Sequence, residues 1–177
     1  MIKGEKIGLR AIERADLSNL RDWRNIESFR KCFREVRELS LADQERWFEK
    51  SCTGNPNDFM FIIEDLKTGK AIGACGLLYT NWIIRSADFS FYIGDQEKYI
   101  GHDGIALDAA KVLVNYGFKQ LNLNKVWMEL YEYDEAKLSF FKKQLNFHQE
   151  GVLRDNCFHD GRYWNSEIIS LLKCEWS

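Results

Sequence analysis

The sequence predicts one α/β domain, a central sheet with helices on its faces, and three observations carry that expectation. Segments that alternate between apolar and polar residues are interleaved with segments whose apolar residues recur at helical spacing. The chain has 177 residues, enough for one sizeable core and little room for a second, so the whole of 1–177 is expected to form a single domain. Pro56 is the one proline, and no Gly/Ser/Pro-rich linker, internal repeat or low-complexity tract divides the chain.

Each element follows in order. Ile7 to Ala11 suits a short first strand. From Asp16, a plausible N-cap, Leu17, Leu20 and Trp23 share one helical face. Ser40 followed by Asp43 has the form of a capping box and opens a second helix through Trp47, Phe48 and Cys52. Gly54-Asn55-Pro56-Asn57 marks a loop. Phe59–Glu64 and Ala71–Tyr79, joined by a polar connection ending in Gly69-Lys70, have the pattern of a β-hairpin.

Ala87 to Ile93 alternates: Ala87, Phe89, Phe91 and Ile93 point one way, and Asp88, Ser90 and Tyr92 the other. That pattern predicts a half-buried strand with a polar face. Ile105 to Phe118 is helical, and Ala106, Ala109, Ala110, Leu113 and Gly117 let it approach a sheet closely. Lys125 to Tyr131 alternates again, with Trp127, Glu129 and Tyr131 on one face. Asp134 caps a helix with Leu138, Phe141 and Leu145 at i, i+3 and i+7. Trp164 to Leu172 closes the sheet. The predicted order is β-α-α-β-β-β-α-β-α-β-β.

Composition narrows the function classes. Hydrophobic residues make up 45% and charged residues 29%, as in an ordinary globular protein. A net charge of −2 argues against a globally basic nucleic-acid binder. The N-terminal stretch lacks the apolar run of a signal peptide, and no run approaches the ~20 residues of a membrane span. A cytoplasmic protein with no membrane and no nucleic-acid partner is expected. The five cysteines are odd in number and widely spaced, which fits reduced thiols. No His, Cys or acidic residues have metal-ligand spacing, so no metal is expected. No Gly-x-Ser-x-Gly elbow is present, which argues against an acyl-enzyme route.

Two local features point to chemistry. The loop Lys98-Tyr99-Ile100-Gly101-His102-Asp103-Gly104-Ile105-Ala106 runs from a strand into a helix. Free backbone N–H groups and the positive end of the helix dipole suit a pyrophosphate there, although an ordinary strand-to-helix turn has the same composition. It fits neither a P-loop nor Gly-x-Gly-x-x-Gly. The stretch Arg21 to Arg37 carries Arg21, Arg24, Arg30, Lys31, Arg34 and Arg37 against three acids. It is either a solvated helix face or a binding edge for an anionic ligand.

The text around these features resembles the GNAT superfamily of N-acetyltransferases over nearly the whole chain. That family's loop has the form Q/R-x-x-G-x-G/A, and Gly104 and Ala106 occupy its last two defined positions. Leu123-Asn124-Lys125-Val126, Leu145-Asn146-Phe147, Glu150-Gly151-Val152-Leu153-Arg154 and Gly161-Arg162-Tyr163 follow in the family's order. With Asp22-Trp23-Arg24-Asn25, they resemble the branch acting on ribosomal-protein N-termini, polyamines and nucleotide-activated amino sugars. The chain departs from the pattern at Gly101, in place of Gln or Arg, and at His102, where a second glycine is common. Asp134 stands in place of an Asn. The stretch Phe140 to Phe147 lacks the tyrosine that often protonates the departing thiolate.

The resemblance implies a mostly antiparallel GNAT sheet whose two alternating strands splay apart. It implies acetyl-CoA as acyl donor and direct attack by a primary amine. The expected cofactor contacts are Phe91, Tyr92, Ile93, Gly101, His102, Asp103, Gly104, Ile105, Ala106, Asp134 and Phe141, with oxyanion contacts from backbone N–H groups near Tyr92 and Ile93. Asp88, ranked first, and Glu129 are the candidate bases on the splayed strands, and exposed carboxylates are the plain alternative. Tyr131 and Tyr133 could replace the missing acid, or simply pack. Trp23, Arg24, Asn25, Arg30 and Trp47 come from helices that usually shape the acceptor site. An aromatic–arginine set suits a sugar nucleotide, whereas Trp23 and Trp47 at helical spacing also suit a core. A polyamine would prefer a carboxylate-rich pocket, and the net basic stretch disfavours it, so a nucleotide-linked amino sugar is the favoured acceptor. A protein α-amine or a non-catalytic acyl-CoA-binding module is the alternative, and a homodimer is left open.

Overall fold

The computed structural model describes residues 1–95, 98–101 and 103–176. Strands β1 (Ile2–Lys3) and β2 (Ile7–Ala11) precede a short 3-10 turn, α1 (Leu17–Asn25), α2 (Glu27–Arg30) and α3 (Leu41–Ser51). Then come β3 (Phe59–Asp65), β4 (Lys70–Asn81), β5 (Ser86–Ile93), α4 (Ile105–Asn115), β6 (Lys125–Tyr131), α5 (Glu135–Gln144), β7 (His148–His159) and β8 (Arg162–Leu172). The expected elements are present. The additions are β1 and the single-turn α2, and the first of the two expected closing strands, β7, is a twelve-residue partner of β8.

The eight strands form one mixed sheet in the order β1-β2-β3-β4-β5-β6-β8-β7. β5 and β6 are parallel, so the chain must cross over between them, and α4 is that crossover. Two apolar layers clasp the sheet. On one face Ala106, Ala109, Ala110 and Leu113 of α4 and Leu138 and Phe141 of α5 pack on Phe89, Phe91, Val126 and Met128. On the other, Leu17 and Leu20 of α1 and Phe48 of α3 pack on Ile62, Ala74 and Tyr92. The alanines of α4 allow the close approach that brings its N-terminus beside β5.

Three local expectations are corrected. The β5 face bearing Asp88 and Tyr92 is not solvated: Asp88 is 6% exposed and Tyr92 is buried, because α1 and the segment after α2 cover it. Asp16 does not cap α1 with its side chain. Its carboxylate instead accepts two bonds from Arg10, at 2.7 and 2.8 Å, and one from the Glu13 amide. The α-helix after the glycine loop stops at Asn115 and widens into a π turn over Tyr116–Gln120. By contrast, Ser40 and Asp43 form the reciprocal capping box that opens α3. No helix among the described residues is long and apolar enough to cross a membrane.

Candidate active site

The site begins where β5 and β6 part. They pair at Ser86↔Lys125, Ala87↔Val126 and Asp88↔Trp127, and no pairing continues beyond among the described residues. Past this point the Ile93 amide donates to the carbonyl of Tyr99 at 2.7 Å, so the loop after β5 borders the gap that β6 leaves. The period-two alternation of a strand puts the Phe91 N–H on the same side as that of Ile93, facing the gap.

A cavity of about 440 Å³ adjoins this fork. Lys98, Tyr99, Ile100 and Gly101 of the loop line one wall, with Gly104, Ala106 and Leu107 at the start of α4; Ala136, Ser139, Phe140 and Gln144 of α5 line the other. Gly104 is the N-cap of α4 and has φ +80°, a left-handed conformation that a side chain would strain. A Cβ there would also come within 2.9 Å of Lys6 Nζ. Lys6 Nζ donates to the Asp103 carbonyl at 2.7 Å, and Lys98 Nζ donates to the Asp103 carboxylate at 3.1 Å. The other Asp103 oxygen accepts the Ile105 amide at 3.0 Å. Two lysines and an open helix N-terminus thus border the cleft, a donor set that fits a diphosphate. His102 lies outside the described residues.

Asp134 caps α5 by accepting the Lys137 amide at 3.3 Å, and it also accepts the Tyr99 hydroxyl. Phe141 is fully buried against Phe89 and Phe147, so Phe140 rather than Phe141 faces the cleft.

On the opposite side of the fork lie the two acids. Arg34 Nη1 donates to Asp88 Oδ2 at 2.7 Å, and Arg34 Nη2 lies 3.7 Å from Glu129 Oε2. Glu129 Oε1 accepts Asn156 Nδ2 at 2.6 Å and Ser166 Oγ at 2.8 Å. Burial pushes the Asp88 carboxyl above the ordinary aspartate range, and the Arg34 guanidinium partly opposes that rise. The arrangement can accept a proton from, or hold, a cationic nitrogen. Of the two tyrosines nearby, Tyr133 donates to the Lys31 carbonyl at 2.6 Å, and burial pushes Tyr131 up to about 12.

The five residues expected to shape the acceptor site do not converge. Trp23 packs edge-on against Tyr92 and lies flat against Gly94, and Trp47 packs with the α1–α3 cluster. Arg24 is half-buried with its guanidinium 4.1 Å from the Phe33 ring, and its buried Nε has no partner among the described residues. Asn25 exchanges both hydrogen bonds with the Leu39 backbone, and Arg30 pairs with Glu38. Sequence reasoning missed Arg34, Lys6, Lys98 and Lys137 as site residues. Lys137 had a usable signal, because it falls four residues before Phe141 on the apolar face of α5. No group of three or more His, Cys, Asp or Glu residues that could hold a metal ion occurs among the described residues.

Comparison with known proteins converges on one family. The family described as "Acetyltransferase (GNAT) domain" matches residues 6–144. The chain is 28% identical to the spermidine N(1)-acetyltransferase of Escherichia coli K12, over 94% of this chain and 86% of that protein. It is 26% identical to an uncharacterized N-acetyltransferase, p20, of Bacillus licheniformis, over 90% of this chain and 80% of that one. The crystal structure of a Vibrio cholerae spermidine N-acetyltransferase in complex with CoA and spermine superposes with a TM-score of 0.86 at 26% identity, covering 96% and 97% of the two chains. The chain belongs to the GNAT acetyltransferase family and is an acetyl-CoA-dependent N-acetyltransferase.

Proposed function

We propose that this enzyme acetylates an aliphatic polyamine, with Asp88 as the base. The observation that carries the reading is the buried Asp88 carboxylate, flanked by Glu129, already holding the guanidinium of Arg34. A site that stabilises one cationic nitrogen can stabilise the ammonium of an acceptor and then take its proton. The raised pKa of Asp88 brings the acid closer to the working range of a general base. The two relatives named for spermidine support the same class.

The remaining roles follow from placement. Lys6, Lys98 and the N-terminus of α4 hold the diphosphate of acetyl-CoA, and the fork between β5 and β6 admits its pantetheine arm. The Phe91 N–H donates to the thioester carbonyl oxygen, where negative charge develops during attack. Glu129, fixed by Asn156 and Ser166, faces the part of the acceptor that Asp88 does not reach. A nucleotide-linked amino sugar gains no comparable support, because the aromatic and arginine side chains that would bind it are engaged in packing α1 to α3.

The test is thiol release from acetyl-CoA over a panel of spermidine, spermine, diamines, nucleotide-linked amino sugars and peptides with free α-amines. Saturable turnover of the polyamines is expected. Turnover confined to the sugar nucleotide or the peptide would overturn the reading.

A further inference from the structure

α5 carries a lysine where its apolar face should continue. Lys137 lies one turn before Phe141 and is only 4% exposed. Burying an amine is costly unless something compensates it. Its Nζ lies 4.8 Å from the centroid of the Tyr99 ring and 5.8 Å from that of Phe33. Tyr99 belongs to the loop that lines the cofactor cleft beside α4 and α5, and its ring reaches past the sheet to pack on Phe29 of α2 at 4.9 Å. Phe33 belongs to the other side of the sheet, where it packs on Tyr92 with the α1–α3 cluster. The Lys137 side chain therefore runs from one face toward the other through the gap that opens beyond Asp88 and Trp127. A thioester must enter that gap to meet an amine held at Asp88.

Of the tyrosines around the gap, Tyr131 holds its proton tightly, because burial pushes it up to about 12, and two others are committed elsewhere. Phe141 has no proton to give, the Tyr99 hydroxyl is donated to Asp134, and the Tyr133 hydroxyl to the Lys31 carbonyl. We propose that the Lys137 ammonium is the acid that protonates the departing CoA thiolate. This rests on acetyl transfer to an amine held at Asp88.

The proton and electron balance closes. The acceptor ammonium first passes one proton through Asp88 to water; the neutral nitrogen then bonds to the thioester carbonyl carbon while Asp88 takes its second proton. The carbon–sulfur bond breaks, its electron pair stays on sulfur, and Lys137 Nζ supplies sulfur with a proton. Amide and free thiol leave behind a protonated Asp88 and a neutral Lys137, and transfer of one proton from Asp88 to Lys137 through water restores both.

The surroundings suit a donor of this kind. Burial lowers the Lys137 pKa from the usual lysine value; Asp134 at the start of α5, the Cys32 thiol after α2 and Asp88 on β5 oppose that shift, whereas Arg24 on α1 adds to it. Tyr99, from the loop, presents its ring face, which favours the ammonium. An acid weakened in this way by its charged neighbours, yet eased by burial, gives up its proton more readily than an exposed lysine.

The experiment is the ionisation of bound free CoA, read from thiolate ultraviolet absorbance against pH, with the desulfo-CoA complex as blank. It needs no acceptor, so an error in the acceptor class leaves its result intact. In the wild type the bound thiol should ionise about one pH unit or more below free CoA, because a neighbouring cation favours the thiolate. Lys137→Met and Lys137→Gln, both matched in length and checked by thermal melting, should return it to the free value or above. In turnover both variants should lose the alkaline limb of kcat and about a hundredfold in kcat, with the acceptor KM little changed. Identical thiol titrations in wild type and both variants would overturn the proposal. So would an acetyl group found on Lys137 after exposure to acetyl-CoA, because an acetylated nitrogen has no such proton to give.

Discussion

Arg34 and Asp88 are 54 residues apart in sequence and joined at 2.7 Å in space, and the two ends of the bond are unequal. The Asp88 side chain is fixed on β5 and nearly sealed, whereas 48% of the Arg34 side chain is exposed and projects from the irregular segment between α2 and α3. The carboxylate is therefore the stationary partner and the guanidinium the displaceable one. The same pair tethers the N-terminal helices across the mouth of the fork.

Asp88→Asn should separate catalysis from stability. Loss of the base should lower kcat by about 10²–10⁴-fold, with no comparable loss of acetyl-CoA binding. The pKa of Asp88 is raised in the folded protein, so the stability it contributes is fully present below the unfolded value of about 3.9 and is lost as pH rises through the native value. At neutral pH the buried charge is a burden that the amide removes. Calorimetry should find the variant's Tm above the wild type's at pH 7, with the difference shrinking as pH falls toward 4. A lower Tm at pH 7 would show that pairing with Arg34 outweighs burial.

The Tyr99–Asp134 contact should govern how the loop and α5 are held together. Tyr99 has φ +56°, a conformation that costs a non-glycine residue about 1–2 kcal/mol, and its hydroxyl bond to the α5 cap offsets that cost. Tyr99→Phe leaves the buried Asp134 carboxylate short of a donor and should cost about 1–3 kcal/mol. For a chain of this size that is roughly 2–12 °C in Tm. In Asp134→Asn the amide oxygen can still accept the Lys137 N–H and the amide nitrogen can donate to the Tyr99 hydroxyl oxygen, so the loss should be smaller. A double-mutant cycle with both changes should give a coupling above about 0.5 kcal/mol, and additivity would mean that the pair contributes nothing.

These sites were unequally legible in the sequence. Period-two alternation located β5 and β6, and the Ser40–Asp43 box located the start of α3, because both signals are local and act through the backbone. Alternation put Asp88 and Glu129 on the polar faces of their strands, and the family resemblance singled them out. Alternation misjudged the Asp88 face as solvated, since what covers it comes from residues 54 and more positions away. The basic run Arg21–Arg37 suited either a solvated helix face or a binding edge for an anion. In space Arg21 meets Asp22, Arg30 meets Glu38, Arg37 meets Glu35, Arg34 meets Asp88, and Arg24 lies against Phe33. Most of its charge is paired with acids of the same chain, and net charge along a sequence window cannot show that.

The opening of α4 should respond to a change at Gly104. Acetyl-CoA that binds only the folded state, at a hundred times its Kd, adds about 2.7 kcal/mol to stability. That corresponds to a rise in Tm of roughly 5–10 °C. Gly104→Val forces a β-branched residue into φ +80° and drives its Cβ against Lys6. The ligand-induced shift should then fall to the equivalent of at least a tenfold loss in affinity. An undiminished shift would place the diphosphate away from the N-terminus of α4.

Arg34→Ala distinguishes the acceptor classes most sharply. If the acceptor is a polyamine, its ammonium groups compete with the guanidinium for Asp88 and Glu129. Removing Arg34 then frees both carboxylates and lowers the acceptor KM, with a larger effect at low salt because the attraction is electrostatic. The loss of the opposing cation also raises the Asp88 pKa further, so the acid limb of the pH–rate profile moves to higher pH. If the acceptor carries phosphate, Arg34 is a cation it would use, and its removal raises KM instead. Initial rates across a pH series, with spermidine and with a nucleotide-linked amino sugar, give both readouts. A fall in KM for spermidine joined to an alkaline shift of the acid limb is the expected result, and a rise in KM for every amine tested would assign Arg34 to binding an anionic group.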